Sequence, residues 1–513
     1  MAAPRAERTR TTMDTIALIN SNDMKPPVAP IAIEYLAGAL AAAGFGVEVI
    51  DCSFGEDPAG EIRRRLAAID PLLVGISFRN TDDCFWPSGA WFVPRLGALV
   101  AAARAATSAP IVAGGCGFSI YPREILETCG ADFGIAGDGE APLLELAQRV
   151  ARGEDCRTIP GLVYRDEAGR TVANPPEYAD ALSVSPARAW IDNARYLREG
   201  AMGNVETKRG CPAACIYCAD PLAKGVRARC RPPGEIAGEF EALAAQGVDV
   251  LHLCDAEFNL PMPHALATAE ELARRGLGRR VRWYCYAAIQ PFTEQLAHAM
   301  RAAGCIGINF GADSACDRML AVLGRAYRKE DVAAAVAACR AAGIAVMLDL
   351  LIGGPGEDES SARESIEFVK RAAPDCAGAA VGVRVYPGTR LAAFVRSQGP
   401  IAGNPNLRGA VTENENFFRP LFYVDWKLGP EPGALVARLI DRDARFFQPA
   451  AGDPTLDYNY NMNDVLAAAI ARGERGAFWD ILRRLRAKTG DAGKPGTVTD
   501  LSVGMGGRSP GLG

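Results

Sequence analysis

Histidine is scarce in this chain of 513 residues, and its scarcity limits the metal chemistry available. The chain has three histidines, His252, His264 and His298, so the residues before 252 cannot offer an imidazole to a metal. No long apolar run occurs, which argues against a membrane-spanning helix. The motif GxGxxG is missing, so a nicotinamide dinucleotide is not expected. The formal net charge of −5 argues against a general nucleic-acid surface.

Cysteine, in contrast, is plentiful, with fifteen residues. The segment Met1–Thr12 is basic and rich in alanine but has no apolar core, so it lacks the pattern of a secretory signal. We therefore expect a cytoplasmic protein with reduced thiols. No cysteine follows Cys376, so the remainder of the chain cannot hold an auxiliary iron–sulfur cluster by cysteine ligation.

Cys211, Cys215 and Cys218 form the pattern C-x3-C-x2-C, with Tyr217 just before the last cysteine. Three thiolates can hold three irons of a [4Fe–4S] cube and leave the fourth iron open to a small molecule, while the tyrosine can pack on the cube and exclude water. A zinc site would need a fourth ligand at matching spacing, and Cys230 lies between two arginines. Six nearby cations form either a solvated rim or counter-charge for anionic ligands and a reduced cluster: Lys208, Arg209, Lys224, Arg227, Arg229 and Arg231.

Short apolar segments alternate with helical patterns in residues 14–152. The segments are Thr15–Ile19, Val47–Asp51, Leu72–Ser77, Pro110–Gly114 and Phe133–Ala136. This alternation predicts an α/β domain with a Rossmann-like, doubly wound parallel sheet, whose ligands bind at the carboxyl ends of the strands. Polar and glycine-rich loops occupy those ends and supply the candidate ligand contacts Asn20, Arg79, Asn80, Gly114, Gly115, Gly137 and Glu140.

Residues 153–200 are predicted to be a linker with a small hairpin, and residues 201–400 repeat the strand–helix pattern. The predicted strands are Val205–Thr207, Val248–Leu253, Arg282–Tyr286, Cys305–Phe310, Val346–Leu351 and Ala380–Val385. Such units predict a partial (β/α)6 barrel with its functional groups at the C-terminal strand ends. Residues 401–488 should form a mainly helical cap, with helices over 432–447 and 463–488, and residues 489–513 a disordered tail.

The cysteine spacing and the loops after the barrel strands resemble the radical S-adenosylmethionine (SAM) family. The matching loops are Asp255–Phe258, Gly311–Ser314, Gly353–Glu357 and Tyr386–Thr389. The resemblance implies that the open iron binds the methionine end of SAM and that the adenosine lies along these loops. The implied contacts are Asp255, Glu257, Asp313, Ser314 and Gly354, with Asp313 in a place where the family often has glutamate.

The first domain resembles the cobalamin-binding domain that precedes many radical SAM domains. The matching pieces are Pro30–Leu36, the pair Gly114 and Gly115, and Gly137–Glu140. The resemblance implies that cobalamin binds at the strand ends, with its edge toward the barrel. Many such domains supply a histidine to cobalt, and this one has none. Arg79 follows the third predicted strand, from which its side chain can reach the lower face of cobalamin, and it is expected there; alternatively, it forms a surface ion pair with Asp82 or Asp83.

Together these motifs predict a cobalamin-dependent radical SAM methyltransferase that acts on an unactivated or sp2 carbon of a small metabolite or natural-product precursor. The pieces Arg79–Asp82, Phe422–Tyr423 and Gly476–Asp480 resemble the tryptophan 2-C-methyltransferase-like subgroup, which implies a tryptophan-like substrate. The expected partners are this substrate and an external electron donor such as flavodoxin or ferredoxin. No nucleic acid and no membrane is expected among them.

Tyr284 and Tyr286 alternate onto one face of a predicted strand. If that face points into the barrel, the phenol of Tyr286 can position substrate or take a proton; outward packing on a helix is the alternative. Two other functions remain open. One is a cyclase or rearrangement enzyme with the same cofactors, which product mass would distinguish. The other is a cobalamin or iron–sulfur sensor or electron carrier, which would not need to bind SAM.

Overall fold

The computed structural model describes residues 13–180, 182, 185–448, 456 and 463–488. The basic N-terminal segment and the predicted disordered tail lie outside these residues. Within them, no helix combines the length and the apolar character needed to cross a membrane.

The N-terminal part folds around a seven-stranded sheet with the order β2-β1-β3-β4-β5-β6-β7. The first five strands are parallel, and β6 and β7 add an antiparallel edge, so the hairpin expected in the linker extends this sheet. The strands are β1 (Thr15–Asn20), β2 (Gly46–Asp51), β3 (Leu73–Ser77), β4 (Ile111–Gly114), β5 (Phe133–Ile135), β6 (Leu162–Arg165) and β7 (Thr171–Ala173).

Helices cover both faces of this sheet, and a separate apolar core lies on each face. Gly44, with a φ of 88°, follows the first helix and stops it, as its position in the sequence predicts. The helices are α1 (Ile31–Ala42), α2 (Pro58–Ile69), α3 (Val93–Ala106), α4 (Cys116–Ile120), α5 (Pro122–Cys129) and α6 (Glu140–Arg152), followed by α7 (Asn193–Arg198) in the connecting segment. The predicted doubly wound α/β fold is confirmed.

The second part is an open parallel barrel with the strand order β8-β11-β12-β13-β14-β15-β19, in which β19 is the C-terminal strand Phe446–Phe447. The short strands β9 and β10 flank the three cysteines as an antiparallel pair. The strands are β8 (Gly203–Val205), β9 (Lys208–Arg209), β10 (Arg229–Cys230), β11 (Val250–Leu253), β12 (Arg282–Ala287), β13 (Cys305–Asp313), β14 (Ala345–Ile352) and β15 (Cys376–Val381). The helices are α8 (Asp220–Lys224), α9 (Pro233–Ala245), α10 (Met262–Arg274), α11 (Glu294–Ala302), α12 (Asp317–Leu323), α13 (Lys329–Ala342), α14 (Glu359–Ala372) and α15 (Arg390–Ser397).

The sixth barrel strand lies earlier in the sequence than the predicted range 380–385. Gly382, with a φ of 91°, turns the chain after β15, so the next residues leave the barrel. They form β16 (Val383–Arg384), which joins β17 (Leu407–Gly409) and β18 (Leu421–Tyr423) in a separate three-stranded sheet.

The C-terminal segment is mainly helical, with α16 (Pro432–Ile440), α17 (Asp464–Ala471) and α18 (Phe478–Lys488). The expectation of a helix over 432–447 was wrong at its end. Asp441 and Arg442 have positive φ values and turn the chain into β19 (Phe446–Phe447), which pairs with β15. The expected helix over 463–488 is two helices, because Gly473 and Gly476 interrupt it with φ values of 97° and 129°.

Buried charges join the N-terminal sheet domain to the barrel. Arg209 donates to both carboxylate oxygens of Glu140, at 2.7 and 3.0 Å. Arg229 pairs with Asp138, which belongs to the same glycine-rich loop as Glu140. The cations around the cysteines are therefore not a solvated rim: four of them lie inside the protein and pair with carboxylates, namely Lys208, Arg209, Arg229 and Arg231.

Candidate active site between the sheet and the barrel

A cavity of about 450 Å³ lies between the carboxyl ends of the N-terminal strands and the barrel. Its volume is in the range of small-molecule sites. The C-terminal helices close its far side. From the sheet domain it is lined by Asn20, Arg79, Gly114, Gly115, Gly137 and Glu140, from the barrel by Glu206, His252, Tyr284, Tyr286 and Asn309, and from the last segment by Phe478, Trp479 and Ile481.

The glycines on the sheet side allow backbone to lie close to backbone beneath the cavity. A Cβ on Gly115, which has a φ of 111°, would lie 2.6 Å from the carbonyl oxygen of Phe78. A Cβ on Gly137, with a φ of 86°, would lie 2.8 Å from the ring of Pro176. These two positions can be filled only by glycine without moving the chain. Gly114, Gly115 and Gly137 also line the cavity without side chains, and an edge open in this way fits a broad, flat ligand such as a corrin ring.

Arg79 reaches the cavity from the loop after β3, and its Nη1 lies 3.6 Å from Sδ of Met24. The alternative that it pairs with Asp82 or Asp83 was wrong. Asp82 forms a buried ion pair with Arg384, at 2.9 Å, and Asp83 accepts from neighbouring backbone amides. Both carboxylates are therefore engaged elsewhere, and the arginine head is left at the cavity.

Two predicted contacts on the sheet side are placed differently from Arg79. The amide of Asn20 lines the cavity but donates to Asp51, Ser53 and Tyr196, so it braces the ends of β1 and β2. Asn80 lines a small neighbouring hollow beside Arg79 instead of the main cavity.

The three cysteines lie together in the loop between β9 and α8. Burial raises the pKa of the Cys215 thiol to about 11 and that of Cys218 to about 12, and it also raises the pKa of Cys211. Iron binding would have to displace these protons. In the described part of the chain no three His, Cys, Asp or Glu side chains converge on a single metal ion. A cube makes a different demand, because each thiolate binds a different iron.

An ionic network lies beside the cysteines at the ends of β11 and β13. Arg325 donates from Nε to Asp313, at 2.5 Å, and from Nη2 to the hydroxyl of Tyr217, at 2.9 Å. Tyr217 in turn donates to Asp313, at 2.6 Å. Asp313 has a φ of 58°, a strained conformation for an aspartate that its surroundings must hold. Tyr217 and Asp313 are thus brought together next to the cluster loop.

Glu257 is the other carboxylate of this group. Its Oε1 lies 3.9 Å from Arg325, and its buried Oε2 has no hydrogen-bonding partner among the described residues. Burial raises its pKa to about 7. A buried oxygen without a partner costs free energy, so this atom is available to a ligand.

Three residues expected to contact SAM are engaged within the protein. Asp255 accepts from the backbone amides of Thr207 and Lys208, at 2.8 and 3.2 Å, and so braces the strand that leads into the cysteine loop. The hydroxyl of Ser314 contacts that of Ser365, at 2.8 Å. The amide of Gly354 donates to Glu357, at 3.0 Å. These contacts shape the loops, and they leave Glu257 and Asp313 as the carboxylates among the predicted SAM contacts that lie near Cys215.

The inner wall of the barrel carries a row of polar side chains. In the strand register His252 lies opposite Tyr284, and Tyr286 lies opposite Asn309. Tyr284 and Tyr286 both face the cavity, so the alternative of outward packing was wrong. Burial lowers the pKa of His252 to about 4; the charge of Asp255 opposes this shift, and the charge of Arg79 contributes to it. His252 and Asn309 were not predicted as site residues, although the alternation of side chains along a strand, which placed the tyrosines, would also have placed these two on the inner wall.

The C-terminal segment closes the cavity on the barrel side. Tyr284 donates to the buried carboxylate of Asp480, at 2.7 Å, and packs edge-on against Trp479. A Cβ on Gly476 would lie 2.5 Å from the Tyr284 hydroxyl, so this turn can approach the barrel because it has no side chain. The end of the cavity is therefore aromatic and shielded from water.

A B12-type sheet domain and a radical SAM barrel with a C-x3-C-x2-C loop share one cavity, and this combination defines the class of cobalamin-dependent radical SAM enzymes. The models of the radical SAM superfamily and of the B12 binding domain match residues 205–369 and 19–147. The tryptophan 2-C-methyltransferase of Streptomyces laurentii is 32% identical, over 91% of this chain and 95% of that protein. The chain belongs to the same family of radical SAM C-methyltransferases, as the sequence motifs predicted.

Solved structures agree with this assignment. TsrM, a radical SAM methyltransferase of Kitasatospora setae solved with tryptophan and a SAM analogue, is 32% identical with a TM-score of 0.86, over 93% of this chain and 99% of that one. TsrM with cobalamin and a [4Fe–4S] cluster is 29% identical with a TM-score of 0.82, over 93% and 100% of the two chains. A further relative, found by sequence, is an uncharacterized methyltransferase of Pyrococcus horikoshii; it is 26% identical, over 71% of this chain and 77% of that protein.

Proposed function

We propose that this protein methylates carbon 2 of the indole ring of tryptophan. The net reaction replaces one ring hydrogen by the methyl group of SAM and releases a proton and S-adenosylhomocysteine. The observation that carries this proposal is the aromatic end of the cavity, at Tyr284, Tyr286 and Trp479, in a chain 32% identical to a tryptophan 2-C-methyltransferase over 91% of its length. An indole ring fits such a wall by stacking and edge contacts.

Three cofactors serve this reaction: cobalamin, a [4Fe–4S] cluster and SAM. Bound cobalamin supplies a carrier for the methyl group, and the protein supplies orientation and the exclusion of water. Cys211, Cys215 and Cys218 hold three irons of the cluster. Glu257 and Asp313 receive the polar end of SAM, because Glu257 offers an unpartnered buried oxygen and Asp313 lies beside it.

Arg79 would lie against the lower face of bound cobalamin and keep it free of a protein ligand. A guanidinium is a poor metal ligand, so near cobalt it would exclude water without coordinating. The engagement of Asp82 and Asp83 elsewhere supports this role, because neither carboxylate draws the arginine away. Tyr286, which is 44% exposed to the cavity, positions the substrate from the opposite wall.

The test is anaerobic reconstitution with iron, sulfide and cobalamin, followed by incubation with SAM and tryptophan. Mass spectrometry should detect a product heavier than tryptophan by one CH2 group. Labelling at carbon 2 with deuterium should show loss of that label, because the methyl group replaces this atom. A product with the same mass as tryptophan would refute methylation and indicate a rearrangement. Failure to bind SAM with the cluster intact would instead indicate a sensor or electron carrier.

An external electron carrier, flavodoxin or ferredoxin, keeps the cofactors in their active oxidation states in the cytoplasm. None of the fifteen cysteines, all of which lie in the described residues, forms a disulfide, which agrees with a reducing compartment.

A further inference from the structure

Asn309 has a buried polar atom that the protein does not satisfy. The residue is 8% exposed and lines the cavity, and its side-chain oxygen Oδ1 has no hydrogen-bonding partner among the residues the structure describes. Buried carbonyl oxygens are nearly always paired, because an unpaired one loses its hydrogen bonds to water without replacement. The exception marks a place where a bound molecule can supply the missing donor.

The position of Asn309 along β13 is informative. Gly307, two residues earlier, faces Tyr284 and Trp479: a Cβ there would lie 2.7 and 2.9 Å from these rings. Gly311, two residues later, faces the cysteine side: a Cβ there would lie 3.8 Å from Oε1 of Glu257. Two residues of strand span about 7 Å. Asn309 therefore lies midway between the aromatic end of the cavity and the end where SAM is proposed to bind.

The neighbours of Asn309 on the inner wall do not explain its oxygen. Tyr286 lies opposite it on β12, and Met347 lies opposite it on β14. The thioether of a methionine has no proton to donate. His252 contacts the ring of Tyr286 edge-on, with centroids 5.2 Å apart, and lies one strand further away. None of these neighbours, the hydroxyl of Tyr286 included, donates to Oδ1, which leaves the contents of the cavity to supply a donor.

We infer that the side-chain oxygen of Asn309 accepts a hydrogen bond from an N–H group of the substrate and makes Asn309 a specificity-determining residue. This inference rests on the proposed function and extends it to one contact. Tryptophan carries two such donors, the ring N–H and the ammonium group. Both can reach a point midway between an indole seat and the SAM end of the cavity, and substrate analogues separate them.

The experiment measures tryptophan binding by anaerobic calorimetry to protein loaded with cobalamin and cluster, together with kcat and KM. Asn309→Leu removes the acceptor at nearly constant size, and Asn309→Asp keeps an acceptor. We expect about tenfold weaker tryptophan binding for the leucine variant, the effect of one lost hydrogen bond, with a raised KM. The aspartate variant should bind tryptophan better than the leucine variant, and the affinity for SAM should stay that of the unmodified protein.

Two analogues identify the donor. One is 3-(benzothiophen-3-yl)alanine, which has sulfur in place of the ring N–H, and the other is indole-3-propionate, which lacks the ammonium group. Whichever donor binds Asn309, its removal should weaken binding to the unmodified protein by about tenfold. The same removal should cost nothing further in Asn309→Leu.

Asn204→Leu is the matched control, since Asn204 lines the same cavity but its amide already donates to the carbonyl of Ala29, at 2.9 Å. Any loss of affinity in this control should be the same for tryptophan and for both analogues. Unchanged tryptophan binding in Asn309→Leu would overturn this inference but not the proposed function. The same holds if the variant loses affinity only for SAM, or if each analogue binds the variant and the unmodified protein with the same loss of affinity. An unmodified protein that neither binds nor methylates tryptophan would count against the proposed function itself.

Discussion

The ion pair between Asp82 and Arg384 fixes the loop that carries Arg79, and its removal should be costly. Arg384 donates from Nε and Nη2 to one carboxylate oxygen of Asp82, at 3.1 and 2.9 Å, and from Nη2 to the hydroxyl of Tyr121, at 3.1 Å. The two side chains are 2% and 0% exposed. Asp82→Asn keeps the shape but leaves the charge of Arg384 buried without a counter-charge.

Breaking a buried pair by removing one partner costs about 3–5 kcal/mol, because the remaining charge keeps its desolvation penalty. For a cooperative unit of about 150–250 residues, that loss of stability corresponds to a fall in Tm on the order of 10 °C. Circular dichroism on cofactor-free protein measures it. Cobalamin affinity, followed by absorbance, should fall as well, since the loop holding Arg79 is no longer anchored.

The double variant Asp82→Leu with Arg384→Met separates charge from packing. Replacing both partners by apolar groups of similar shape is often neutral, so this variant should regain most of the lost stability. A single variant with the Tm of the unmodified protein would refute the reasoning, because the pair would then not be buried as described. A double variant as unstable as the single one would show that the hydrogen bonds of Arg384, and not its charge, carry the effect.

Four further predictions test the site. Alanine at Cys211, Cys215 or Cys218 should abolish the absorbance of the cluster and the turnover of SAM, whereas alanine at Cys230 or Cys254 should not; full iron content in the triple variant would contradict this. Asp313→Ala should weaken SAM binding by more than it lowers stability, because it removes a predicted SAM contact while Arg325 and Tyr217 keep their hydrogen bond to each other; unchanged affinity would remove Asp313 from the site. Electron paramagnetic resonance of the cob(II)alamin form should show no nitrogen splitting from an axial base, and a five-coordinate water signal should appear only in Arg79→Ala or Arg79→Lys. The pKa of His252 falls from 6.5 to about 4 on folding. Between these two values the unfolded state binds a proton that the folded state does not, so the free energy of unfolding decreases as the pH falls, by at most about 2 kcal/mol at pH 5. His252→Gln should flatten this dependence in denaturant titrations at pH 7.5 and 5.

Local patterns predicted the fold because each strand and loop carries its own signal. The apolar segments of the first domain match β1 to β5 within one residue at every end. The errors lie where one residue decides the direction of the chain. Gly382 ends the sixth strand early, and Asp441 and Arg442 end a helix in a conformation that non-glycine residues rarely adopt. No periodicity of apolar residues reports such turns.

The site was predicted less completely, since it depends on contacts between distant segments. The cysteine pattern is local and was therefore visible. That Asp255 and Ser314 are engaged by Thr207 and Ser365 depends on neighbouring strands and helices, which sequence spacing alone does not specify. Strand alternation could have placed Asn309 on the inner wall, but its unpartnered side-chain oxygen is visible only in the structure.

The buried charges between the two domains explain how one cavity can serve three cofactors. Asp138 and Glu140 follow the last parallel strand of the sheet domain, and they pair with Arg229 and Arg209 on either side of the cysteine loop. Both pairs are largely buried, with side chains that are 3–18% exposed, so separating the domains would break them. They hold the loop after the last parallel strand against the cysteine loop. Methyl transfer requires this preorganisation, since a misplacement of about 1 Å can cost a factor of a hundred in rate.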